Sequence, residues 1–361
     1  MKSSVIGSRV HQARHSAGLS LRDLAERCGL SAMAISKYER GEITPSSEAL
    51  LALSKALNVR VEYFFRQHDV QLEAVEYRKH ADMPEKEKKR ILADAREQLE
   101  RWLALEEFVP THWASRFVLP AGLPDKVESF DEVEEVAQAV RKAWKLGNDA
   151  LPALIDMLEL HGIKVFVTSI DGDRMFDGLS ATANGKPVIL IVGGSHQPGD
   201  RQRFTLAHEL GHAVLKGRLG KRLDEEKACN RFAGAFLAPK DSVQRLLGHS
   251  RTWLEPRELQ LLKQDWGLSM AGWMLRARDL GILNATAAAQ MWSFFREHGW
   301  DKREPDPQYP REQSRGFEQL VYRALAEDQI SESKAAELLG LPLGEFVAQR
   351  KMDSAPDAAR R

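Results

Sequence analysis

The densest chemistry in this 361-residue chain lies in one pentapeptide, His208-Glu209-Leu210-Gly211-His212. Two imidazoles at positions i and i+4 stand one turn apart on the same helix face, within reach of a single Zn²⁺. The carboxylate of Glu209 then falls beside a metal-bound water. Two histidines leave a tetrahedral site short of a protein ligand, and the helical stretch beginning at Glu226 offers a carboxylate. Glu226 is the expected third ligand and Glu225 the reserve. Such a site keeps one open position. Zinc lowers the pKa of its water from about 16 toward about 7, and Glu209 would take the proton and return it to a leaving amine. The chemistry is peptide-bond hydrolysis. Phe204, Ala207, Gly211 and Leu215 give the pair apolar surroundings.

A second group of residues lies in the segment from Gly18 to Gly41, where two short helical patterns meet at Gly29. This outline suits a helix-turn-helix. Ala32, Met33, Ser36 and Lys37 would project from its second helix toward base edges, while Arg22 and Arg40 would hold phosphates and set the register. Ala32 and Met33 have no hydrogen-bonding ends, so readout there is apolar, for instance against a thymine methyl. Over the whole chain 52 Lys and Arg balance 52 Asp and Glu, but residues 1–68 carry ten bases against six acids. Duplex DNA is the expected partner of that end. One head reads few bases, so a homodimer on paired half-sites is expected.

The elements that must position these groups follow from periodicity and punctuation. Residues 5–65 read as five short helices, interrupted at Gly18, Gly29, Gly41 and Pro45. From 84 to 107, Ile91, Leu92, Ala95, Leu99, Trp102 and Leu103 form a narrow apolar stripe in a charged connecting helix, which would rest on a neighbouring domain or form a dimer seam. Asp131-Glu132-Val133-Glu134 has the shape of a capping box opening a second folded unit. Residues 163–167 and 188–192 are the best strand candidates, and the second could lay an extended substrate beside the metal helix. Helical patterns cover 203–216 and 225–237, with Pro239 as the stop, and continue through 255–298. The expected domains are 1–68, a helical connector 69–130, 131–300, a proline-rich linker 301–316, and a C-terminal helical segment 317–361. The fold class is multidomain and mostly α, with an all-α N-terminal domain and an α+β core. A weaker helix-turn-helix outline spans Ile330 to Leu341, in surroundings that are not basic, and another precedes the helix carrying Arg276 and Arg278.

No apolar run reaches the roughly 18 residues of a membrane span. The N-terminal residues show no secretory apolar region, and Cys28 and Cys229 are too few for a disulfide framework. A cytoplasmic protein without membrane contact is expected.

The run from Arg203 to His212, followed by Glu226, Asn230, Phe232-Ala233 and Leu237-Ala238-Pro239, closely resembles the ImmA/IrrE family of metallopeptidases. Leu158-Glu159-Leu160-His161-Gly162-Ile163 and Phe176-Asp177-Gly178 extend the likeness over about residues 130–240. It implies a zincin-like core, His208, His212 and Glu226 as zinc ligands, Glu209 as the catalytic base, and helix-turn-helix repressors as substrates, cleaved to derepress stress or mobile-element genes. Cys229 departs from the family's usual Ala and reads as a small buried residue, and Ala238 replaces a common Met. Residues 5–65 resemble the XRE, phage-repressor-like family. Together these imply a transcription regulator that carries a zinc metalloendopeptidase. The alternative is a non-catalytic repressor or antitoxin-like protein whose zincin fold serves as a scaffold or ligand sensor.

Overall fold

The computed structural model describes residues 5–65, 73–78, 85–110, 117–168, 178–183, 186–192 and 198–352. Helices α1 (Val5–Ser16), α2 (Leu21–Cys28), α3 (Ala32–Glu39) and α4 (Ser47–Leu57) form the N-terminal head, and the expected fifth helix is a 3-10 turn at Val61–Phe65. Val10, Leu24, Ile35, Leu53 and Phe64 are its fully buried core. Polar side chains fix the helix starts. Ser20 and Asp23 cap α2 reciprocally, and Ser31 accepts the Ala34 amide at the start of α3. Gly29 turns the chain between them at φ 67°, a conformation costly for any residue with a Cβ.

Helix α5 (Glu85–Glu106) is amphipathic as its stripe predicts, and the stripe is covered by its own chain. Ile91, Ala95, Leu99, Trp102 and Leu105 are buried, with α5 packed on α1, on the sheet and on the C-terminal helices. Arg9 of α1 meets Glu100 of α5 at 2.5 Å, both buried. The connector is not wholly helical, because β1 (Glu73–Arg78) precedes α5.

The sheet runs β1-β3-β4-β2, with β2 (Lys164–Thr168), β3 (Gly178–Ala183) and β4 (Lys186–Val192). β2 and β4 are the two strands the sequence predicts, and they pair in parallel, whereas β3 is antiparallel to β4 and β1 to β3. The composition of β3 gives little strand signal, and neighbouring strands supply what propensity does not. One expectation fails here: β4 has a partner on each side, so its backbone cannot also receive a substrate strand.

Helices α7 (Leu154–Leu160) and α8 (Gly199–Leu215) pack on the sheet, and α6 (Phe130–Ala143), α9 (Glu225–Leu237), α10 (Lys240–Leu247), α11 (Pro256–Trp266), α12 (Met270–Asp279) and α13 (Ala285–Glu297) extend the layer by helix-on-helix packing. They share one large core that includes Val136, Leu206, Leu210, Phe232 and Trp273. The cap of α6 is Ser129, which accepts the Glu132 amide, two residues before the predicted start, and no reciprocal box forms because the Glu132 carboxylate takes the Glu128 amide instead. The C-terminal helices α14 (Gly316–Ala326), α15 (Glu332–Leu339) and α16 (Leu343–Arg350) build a small core with Leu105 and Val109.

Residues 301–315 contain no helix or strand, yet they are not a loose tether. The Glu304 carboxylate accepts the Met270 and Ala271 amides and pairs with buried Lys263. The Gly199 amide donates to the Tyr309 carbonyl, and Gln202 and the Glu312 backbone bond reciprocally. Arg203, fully buried on α8, pairs with Glu312 and donates to the Leu151 carbonyl. Proline content predicts a linker, but these side-chain anchors make the segment a strap across the start of α8.

Candidate metal centre and nucleic-acid interface

Helices α8 and α9 approach closely because α8 carries Gly211 between the two histidines. A Cβ there would lie 3.3 Å from the Cys229 Cα and 3.2 Å from the Phe232 ring. Cys229 is fully buried, in keeping with its reading as a small packing residue. The contact brings the first turn of α9 over the histidines. His208 Nε2 and His212 Nε2 lie 3.1 Å apart, Glu226 Oε2 is 3.4 Å from the former, and Glu226 Oε1 is 3.3 Å from the latter. These three side chains form a potential metal-binding group, with donors all within 4.8 Å of one another.

The fit to a tetrahedral ion can be tested on these distances. Metal–ligand bonds of about 2.0–2.1 Å set tetrahedral ligand separations of about 3.3 Å; the His208–His212 separation is close to that value, and each imidazole has its own Glu226 oxygen at 3.3–3.4 Å. The outer nitrogens are engaged as well. His208 Nδ1 lies 2.9 Å from Asn230 Oδ1, and His212 Nδ1 lies 3.1 Å from Glu225 Oε1. An amide oxygen and a carboxylate can only accept, so each Nδ1 carries the hydrogen and each Nε2 lone pair points inward. The donor set therefore suits a divalent metal such as zinc. Glu225, the reserve ligand, faces the outer nitrogen of His212 while Glu226 faces both inner ones.

His208 is fully buried, His212 nearly so, and Glu226 is 64 % exposed, so the group opens to solvent on the Glu226 side. Glu209 follows His208 on α8 and is buried. Ala207 and Leu215 are buried beside the histidines, and Phe204 is partly so. Sequence reasoning overlooked the orienting parts of Asn230 and Glu225. The available signal was that Glu225 adjoins the expected ligand and Asn230 lies one turn beyond Glu226 on the predicted helix. Phe176 and Asp177 lie outside the described residues.

In the head, Ile35 and Tyr38 turn α3 toward the core, leaving Ala32, Met33, Ser36 and Lys37 on its outer side. Met33 is 70 % exposed, and Arg22 is exposed at the start of α2. Arg40 is also exposed, and its guanidinium donates to Glu42 at 2.6 Å and to the Ser36 hydroxyl at 2.5 Å. Glu42 therefore competes for the charge that sequence reasoning assigns to a phosphate.

The head has helix-turn-helix form, and the two-histidine, one-glutamate group, open to solvent at Glu226, has the donor set of a metal centre. The helix-turn-helix family model matches residues 10–64, and the model of the IrrE N-terminal-like domain, a peptidase family, matches residues 158–272. The chain carries both domains and is a distant homologue of the IrrE metalloprotease. The second match begins later and ends later than the resemblance read from the motifs. The radiation response metalloprotease IrrE of Deinococcus radiodurans is 36% identical over 72 residues, covering 16% of this chain and 22% of that protein. An uncharacterized transcriptional regulator in the ATPase CF(0) region of Rhodospirillum rubrum is 43% identical over 60 residues, 17% of this chain and 56% of its own. Repressor protein C2 of Salmonella phage P22 is 36% identical over 66 residues, 18% of this chain and 31% of its own. The matches thus span from about a fifth to just over half of these relatives. Among the described residues, no helix is long and apolar enough to cross a membrane.

Proposed function

We propose that this protein is a cytoplasmic, homodimeric transcription regulator whose second domain is a zinc-dependent endopeptidase acting on a helix-turn-helix repressor or another regulatory partner. The observation that carries the reading is the convergence of His208, His212 and Glu226, with donor atoms within 4.8 Å of one another, beside an intact Glu209. The proposed division is a DNA-binding head at 1–68, a connector at 69–130, a peptidase domain at 131–300, a strap at 301–316 and a C-terminal helical unit at 317–361.

His208, His212 and Glu226 would hold the zinc, which when bound polarises a scissile carbonyl and acidifies a water. Asn230 and Glu225 orient the two imidazoles. Glu209 takes a proton from the attacking water and delivers it to the departing amine, a part that needs a carboxylate and not a metal ligand. Arg22 and Arg40 would contact phosphates, and Ala32, Met33, Ser36 and Lys37 would meet base edges in the major groove.

The test is Glu209→Gln in the full chain, assayed with zinc against purified helix-turn-helix repressors encoded nearby. The expected variant holds zinc and binds DNA like the parent, but cuts about 10²–10⁴ times more slowly. If neither protein cleaves any repressor and both regulate the same promoter identically, the endopeptidase reading falls and a scaffold or ligand-sensing repressor replaces it.

A further inference from the structure

Two separate parts of the chain build the sheet. β2, β3 and β4 lie within residues 158–272, the match to the IrrE N-terminal-like domain, whereas β1 comes from the connector and lies outside both family matches. Without β1 the peptidase-type domain's own sheet would end at β3. The backbone of an edge strand is a template for any extended chain, because half of its amides and carbonyls face outward.

That edge lies on the side of the metal helix. α8, which carries His208, Glu209 and His212, packs on β4 and β3, and among the described residues it has no comparable contact with β2. β2 is met instead by α5, whose Gln98 side chain donates to the Val167 carbonyl at 3.5 Å. With β4 enclosed by β2 and β3, the outer side of β3 is the sheet edge toward α8. β1 takes it antiparallel, from Glu73 opposite Thr182 to Arg78 opposite Gly178. The register slips between Glu73 and Glu76, a bulge that interrupts the ladder within a strand of six residues. The β3–β4 ladder runs without such a break. A short, interrupted edge strand is the part of this sheet that another chain can replace.

We infer that the outer edge of β3 is a docking site for an extended peptide strand, and that β1 fills it from within the chain. The partner is a stretch of unfolded polypeptide, held by main-chain hydrogen bonds and so tolerant of sequence. On the endopeptidase reading proposed above, that stretch is the substrate, laid beside α8, and β1 restrains cleavage until it is displaced.

A fluorescein-labelled peptide of residues 71–80, titrated into the full chain and read by anisotropy, tests the site. Glu76→Pro combined with Tyr77→Pro removes two successive amides, one of which faces β3 because strand residues alternate. This variant should bind one peptide per chain, with slowed hydrogen exchange over 178–183, and the parent should bind about tenfold more weakly because its edge is rarely open. Tyr77→Cys with Leu179→Cys, at directly paired positions, does the reverse. Oxidation should link them and abolish peptide binding, and reduction should restore it. Should the prolines unfold the chain, the cysteine pair decides alone. Against the repressors of the Glu209→Gln assay, the proline variant should cut about tenfold faster than the parent, and the oxidised variant should not cut. If no form cuts while the peptide still separates the variants, the endopeptidase reading falls and the docking edge stands. Equal peptide affinity in parent, proline and oxidised variants, protection away from 178–183, or a proline variant that takes peptide yet cuts no faster than an active parent overturns the inference.

Discussion

The candidate metal cluster and the proposed DNA-reading face are both built on helices, but they are constrained in opposite ways. At the cluster, His208 and His212 are each held at both ring nitrogens, inside the contact between α8 and α9 that Gly211 permits. On α3, Met33 and Lys37 are fixed only through their backbone, by a core of Ile35 and Tyr38 on the other side. Hydrolysis needs donors set to within a fraction of an ångström before substrate arrives. Groove recognition lets side chains settle against bases and phosphates on binding, so the head needs only a rigid helix. Arg40 shows the looser rule, since a surface partner, Glu42, holds it, and in the proposed function a phosphate would have to displace that partner.

If the contrast is right, substitutions at the cluster act on metal binding in large steps while those on the head act on DNA in small ones. Glu226→Ala should abolish stoichiometric zinc under conditions that saturate the parent, as read by elemental analysis. Loss of zinc in Glu225→Ala with retention in Glu226→Ala would reverse the ligand assignment. Asn230→Ala should weaken zinc binding by about 10–100-fold, because an unoriented His208 loses its fixed tautomer. Competition with a chelator measures it, and unchanged affinity would mean that helix packing alone orients the ring.

On the head, Arg22→Ala should weaken binding evenly across DNA sequences and lower the slope of log affinity against log salt by about 1. A sequence-dependent loss would make Arg22 a base reader. The smallest effect belongs to the strap. Burial, opposed by hydrogen bonds from Ser314 and Gly316, raises the Glu159 carboxyl from 4.5 to about 7. Between those values the folded chain keeps a proton that the unfolded chain has lost, so this group's contribution to stability falls as pH rises through that window. Melting curves across the window should show a shallower decline in Glu159→Gln than in the parent, and parallel curves would contradict the assignment.

Where the relevant contacts are local, the chain's own order determined the outcome. The i, i+4 spacing aligns His208 with His212 on any helix, Ser20 and Ser31 cap the helices that follow them, and Gly29 permits the turn between α2 and α3. The two strands with continuous β-branched runs were legible for the same reason, and so was the apolar stripe of α5. What tertiary structure decided involves residues far apart in sequence. Glu225 and Glu226 are adjacent and chemically identical, and only the packing of α9 on α8 turns one toward the inner nitrogens and the other toward an outer one. Strand β1 exists through pairing with β3, far along the chain, and β4 is enclosed by β3 on one side and β2 on the other. The strap reads as linker because its anchors, Glu304 and Glu312, meet Lys263 and Arg203 across gaps of 41 and 109 residues. A local pattern carries no record of such pairs, since each partner alone is an ordinary charged residue until the fold buries it beside the other.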